Sequence, residues 1–201
     1  QPEGYNNLGN AFKLKHDLEN ASENFRKAIS LRPDFAMAEF NLATTRMLQG
    51  NLQDGWRGYE RRTDIAASPQ QQYPGQQWQG EPLMGKSICL WCEQGFGDTL
   101  LFLRFAIELK KRGAARVLVL CQTELAALLK QVPEIDQILK AGDPQPECDY
   151  QCALLSVPFY LETSLETIPA AVPFLQPPPD RQQYWASVLS DLPGAKVGLN
   201  W

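Results

Sequence analysis

Apolar residues recur every three to four positions through the first 63 residues, and from Lys86 onward they gather instead into short unbroken runs separated by helical stretches. The first pattern predicts amphipathic helices, and the second predicts an α/β segment. Strands are expected over Ser87–Cys92, Arg116–Cys121, Asp136–Leu139 and Tyr150–Leu154, with helices near Thr99–Arg112, Thr123–Gln131 and Arg181–Leu189. Apolar strands imply a sheet covered on both faces. The helix from Thr99 carries Leu100, Leu101, Phe102, Leu103, Phe105, Ala106 and Ile107, so its first half requires burial. Lys110, Lys111 and Arg112 then complement its C-terminal dipole, and Gly113 closes it.

Within the helical segment, Tyr5, Leu8, Gly9, Phe12, Ala21, Phe25, Ala28 and Pro33 keep the spacing of a tetratricopeptide repeat, whose period is about 34 residues. One period on stand Leu42, Ala43, Gly55 and Tyr59, whereas Arg46 and Arg62 depart from the pattern. Residues 1–63 are therefore expected to hold two repeats, the second degenerate. Small residues let paired helices approach and aromatic ones fill between them. Two such pairs are too few for an independent solenoid, so they are expected to lean on the following domain and to continue N-terminally. Residues 64–85, rich in Gln, Pro and Gly, read as a linker in which Trp78 anchors by packing. Residues 86–195 form the α/β domain, and Lys196–Trp201 read as the first strand of a further α/β half.

A formal charge of −4 without long single-sign runs argues against a nucleic-acid surface. No apolar stretch approaches the roughly 18–20 residues of a membrane helix, and with no signal-peptide layout the chain is expected to be cytoplasmic. Five cysteines fit reduced thiols. Cys89 and Cys92 are spaced as C-x-x-C, but on a strand they point to opposite faces, so they read as core thiols and no metal site is expected. His16, the lone histidine, has a surface or capping role by default.

The chemistry concentrates where the first predicted strand ends, in Glu93-Gln94-Gly95-Phe96-Gly97-Asp98-Thr99. Ligands of open α/β sheets bind outside the carboxyl ends of the strands. Leu100 stands where a dinucleotide fingerprint needs its third glycine, and the Asp98 carboxylate would repel a phosphate at the helix N-terminus. Two roles remain for Asp98: a helix N-cap accepting the amide of Leu100 or Leu101, or a general base taking a proton from a substrate hydroxyl. Ser156, after the fourth strand, reads as either a cap or an acceptor contact at the same edge.

The order of repeats, Trp78-Gln-Gly80, Gly85-Lys86, strand and Glu93-Gln-Gly-Phe-Gly-Asp-Thr99 resembles bacterial repeat-fused glycosyltransferases related to the heptosyltransferases of glycosyltransferase family 9. The resemblance implies helical tetratricopeptide repeats followed by a Rossmann-like, three-layer N-terminal half of a GT-B fold. It makes Asp98 the acceptor-activating base, with Gly95, Phe96, Gly97 and Ser156 on the substrate side. It also implies a nucleotide-sugar donor held mainly by a C-terminal half, and no other cofactor. Heptosyltransferases proper lack the repeats, so the acceptor does not transfer. Tyr5-Asn-Asn-Leu-Gly-Asn10 is similar to the repeats of protein O-GlcNAc transferases. Asn7 and Asn41, one period apart, match the asparagine position of their concave groove, where an amide offers donor and acceptor to a peptide backbone. A non-catalytic interaction module, with Asp98 only a cap, is the competing expectation.

Overall fold

A computed structural model describes residues 1–65 and 73–198. Four helices come first: α1 (Pro2–Leu14), α2 (Leu18–Leu31), α3 (Ala36–Leu48) and α4 (Leu52–Tyr59), followed by a single turn, α5 (Arg62–Ile65). Asp17 caps α2 by accepting the Asn20 amide, and Asn51 caps α4 by accepting that of Asp54. His16 lies in the α1–α2 turn with a left-handed φ of 59°, exposed.

The repeat spacing has a direct steric basis. Ala21, Phe25 and Ala28 are fully buried, and a Cβ built on Gly9 would lie 2.6 Å from the Phe25 ring. In the second pair a Cβ on Gly58 would lie 2.7 Å from that of Ala43. Gly9→Ala is therefore expected to destabilise. Overpacking costs about 1–3 kcal/mol, only partly offset by about 1 kcal/mol of helix propensity, and a lowered urea midpoint would show it.

The α/β segment is a five-stranded, wholly parallel sheet in the order β1-β5-β2-β3-β4, built from β1 (Gln76–Gln77), β2 (Ser87–Trp91), β3 (Arg116–Cys121), β4 (Gln137–Lys140) and β5 (Tyr150–Ala153). The long crossover helix is α6 (Phe96–Lys111). A short 3₁₀ turn and α7 (Ala126–Leu129) follow β3, while a second 3₁₀ turn (Leu154–Ser156) and α8 (Val157–Tyr160) follow β5. Gly113 ends α6 region with φ of 96°, as its sequence position suggests.

Four differences from the sequence expectations have physical causes. The stretch read as linker supplies β1, an edge strand of two glutamines. Beside it Trp78 is buried in the α/β core, its indole donating to the Glu81 carbonyl at 2.9 Å. Helix α6 starts at Phe96 rather than Thr99, because Gly95 and Gly97 both hold ordinary negative-φ backbone and Gly97 is already helical. The expected three layers reduce to two among the described residues. Ile88, Leu90, Val117 and Val119 pack with α6 and α7 in the main core, whereas Cys89, Leu118 and Leu139 form a small cluster of strand residues on the opposite face. The β4–β5 connection there contains no helix, and the second face carries instead a Tyr73–Trp91 stack at 5.2 Å and a Trp91–Gln151–Gln77 hydrogen-bond chain. Finally, residues 196–198 form no strand, and the rest of that expected strand lies outside the described residues.

Helix α9 (Pro179–Ser190) buries none of its side chains, leaving Tyr184, Trp185 and Val188 exposed. No helix among the described residues is long and apolar enough to cross a membrane.

Candidate functional site at the β2–α6 loop

Strand β2 runs between β5 and β3, and its carboxyl end delivers Glu93–Thr99 to the edge of the sheet where α6 begins. Asp98 is not the N-cap. That position belongs to Gly95, and Asp98 sits in the third helical position, its Oδ2 accepting the Gly95 amide at 3.2 Å. A carboxylate in the first turn also meets the positive end of the helix dipole. One oxygen closes the loop, and the half-buried carboxylate keeps acceptor capacity for a second partner.

The two loop glycines are exposed. A Cβ on Gly97 would meet nothing within 4 Å, and one on Gly95 would make only an ordinary 3.6 Å contact with Asp98. Neither backbone conformation nor internal packing requires glycine at 97, unlike Gly9. Phe96 between them is 47% exposed, a large apolar ring turned outward at the same mouth.

The loop is held from both sides. On the sheet side, Gln122 after β3 donates its amide to the Gln94 carbonyl at 2.7 Å and accepts the Thr99 hydroxyl at 3.0 Å. On the repeat side stands Arg62, only 5% exposed. Its guanidinium grips Glu93 through both carboxylate oxygens, at 3.2 and 2.7 Å, and donates to Glu60 at 2.6 Å and to the Ser156 hydroxyl at 2.7 Å. The face of the Tyr59 ring lies 5.0 Å away. Burial opposes the Arg62 charge, but the bonds and fields of Glu93 and Glu60 outweigh it and hold its pKa above the ordinary arginine range.

Ser156 is thereby accounted for within the protein. It is buried, accepting from Arg62 and donating to Glu60 at 2.7 Å, so its hydroxyl proton is already engaged, and at the N-cap position of α8 its side chain makes no capping bond. Trp56 strengthens the same junction, donating its indole N–H to the Thr163 carbonyl at 3.0 Å and meeting Phe102 edge-on. Arg62 as a misfit in the repeat and Ser156 as a candidate contact were visible in the sequence, but nothing there paired them. Arg62 occupies the slot one period after Ala28, where the repeat wants a small residue.

The asparagines expected in register differ in burial. Asn7 is exposed, whereas Asn41 is buried and donates to Asn6 Oδ1 at 2.9 Å, which ties α3 to α1. That bond uses one N–H of the Asn41 amide and one lone pair of the Asn6 oxygen, so the side chain has a structural duty between the two helices. The thiols behave as core residues: Cys89 and Cys92 lie on opposite sides of the sheet, and burial pushes each up to about 12. Burial likewise raises Cys121 to about 11. Protonated thiols at neutral pH are poor nucleophiles and poor metal ligands.

Residues 2–35 match the tetratricopeptide repeat family. That stretch is a tetratricopeptide repeat. It covers α1 and α2, and the second helix pair packs against it, with its own close-approach glycines, Gly55 and Gly58, on α4. Over 188 residues the chain is 31% identical to Protein FlbA of Caulobacter vibrioides, an alignment covering 84% of this chain and 32% of FlbA. The chain thus spans about a third of the length of that curated relative. Among solved structures, a mutant O-GlcNAc transferase of Thermobaculum terrenum aligns at 14% identity and a TM-score of 0.31, covering 69% of this chain and 34% of that one. A likeness of that degree carries no argument about fold or function.

Proposed function

We propose that the chain is the repeat-bearing, acceptor-side part of a glycosyltransferase that moves a sugar from a nucleotide-sugar to an acceptor hydroxyl, with Asp98 as base and Gly95, Phe96 and Gly97 bordering the acceptor. The N-terminal half of a GT-B enzyme is the architecture this reading implies. Its motif support is the resemblance of the Glu93–Thr99 loop to repeat-fused glycosyltransferases. The observation that carries it is Gly97. Gly97 stands in the first turn of α6 with open space where a Cβ would be, so the backbone there is open to close approach by a ligand beside the carboxylate.

Gly97→Ala separates the two roles. In the full-length protein the variant is expected to keep or slightly raise thermal stability while slowing transfer at least about tenfold, because a methyl now occupies the approach. Nucleoside diphosphate release measured with a panel of nucleotide-sugars tests both points. Unchanged transfer in the variant, or no release from any donor by the wild-type protein, would overturn the proposal.

The second reading is a protein-interaction module in which the repeats dock a protein or peptide and the sheet is a platform. The bond from the Gly95 amide to Asp98 favours it, since that bond gives the carboxylate a structural duty. Repeats serve protein contacts under both readings.

A further inference from the structure

The repeat and the loop are joined by a single buried side chain. Arg62 lies at a repeat position that calls for a small residue, yet its fork closes on Glu93, the first residue of the loop and two before Gly95. Tyr59 lies against the same guanidinium and contributes a hydroxyl 3.5 Å from the Gln94 amide nitrogen. The opposite flank is fixed by Gln122. Bidentate arginine–carboxylate pairs set geometry as well as energy, because the planar fork accepts only a narrow range of carboxylate orientations. At 14% side-chain exposure for Glu93 and 5% for Arg62, water offers little substitute.

We infer that Arg62 is a positioning residue: from the repeat module it sets the conformation of the Glu93–Thr99 loop, so that the loop has its working geometry only while the second helix pair is docked. The repeats are then a structural part of the loop site as well as a surface for partners. This rests on the loop being the ligand-facing element proposed above. Its test reads the loop itself, so it can fail separately from sugar transfer.

The experiment is residue-level amide hydrogen exchange on the full-length protein, comparing wild type with Arg62→Lys, Glu93→Gln and the double variant. The amides of Gly95 and Thr99 report directly, since they bond to Asp98 and to the Gly95 carbonyl at 3.2 and 3.1 Å. Arg62→Lys keeps the charge and loses the fork, and Glu93→Gln leaves the repeat and its Glu60 and Ser156 contacts in place. Each single variant is expected to exchange about tenfold faster at both amides, with α1–α3 unchanged and the double variant no faster than the singles. Unchanged Gly95 and Thr99 exchange in both single variants would overturn the inference. So would an equal acceleration throughout α4 and α8, which would mark Arg62 as a docking contact only. If instead Asp98→Asn leaves transfer intact, the transferase reading falls and this coupling stands.

Discussion

Replacing Asp98 by asparagine in the full-length protein is expected to lower sugar transfer by about a hundred- to ten-thousandfold, the range that a positioned general base contributes. The fold should barely notice. The amide oxygen of asparagine can still accept the Gly95 N–H now taken by Asp98 Oδ2. What is lost is a negative charge in the first turn of a sixteen-residue helix, an interaction of about 0.3–1 kcal/mol. A comparison of transfer rate and thermal midpoint thus separates the two duties of one side chain. A collapse in rate with the midpoint nearly unchanged supports the base. Equal rates with a small drop in the midpoint would leave Asp98 as the closure of the loop and nothing more.

The largest effect on stability is expected from Arg62→Met. Removing one partner from a buried ion pair typically costs about 3–5 kcal/mol, because the remaining charge stays desolvated. Glu60 and Glu93 keep 25% and 14% of their side-chain surface, so water recovers part of this and about 2–3 kcal/mol is the expected loss. Ser156 would also lose a donor. Adding Glu93→Leu to Arg62→Met should return much of the stability, since an apolar replacement of a whole buried pair is often neutral or better. Urea unfolding of the single and double variants checks both statements. A single variant within 0.5 kcal/mol of wild type by order of magnitude, as for ordinary surface changes, would show the network contributes little.

The sheet and the repeat were largely legible from local pattern because each depends on local pattern. Unbroken apolar runs mark β2 and β3, and β3 falls on its expected residues. Gly9 and Phe25 carry the repeat because they touch. Strand β1 was hidden since an exposed two-residue edge strand of glutamines has no hydrophobic signature. The start of α6 was displaced because Gly-Phe-Gly reads as a turn, and only the structure shows Phe96 and Gly97 already in helical space after an extended Gly95. Asn41 meets Asn6 because α3 packs against α1, a contact between neighbouring residues of two helices that the repeat period does not reveal. The site network was illegible for another reason. Arg62 stands out as a misfit, but Glu93 lies 31 residues and Ser156 94 residues further on, and no local rule pairs them.

The strand order has a consequence for how the chain assembles. Strand β5 lies between β1 and β2, so β1 has no neighbour in the sheet until β5, more than seventy residues further on, is in place. The helical pairs make their contacts over short separations in sequence, whereas the sheet does not. The Arg62 network is complete only with Ser156, which at synthesis rates of about 5–20 residues per second emerges several seconds after Arg62. The last bond of the network therefore joins the repeat to the residue that follows β5, the strand at the middle of the β1–β5–β2 contacts.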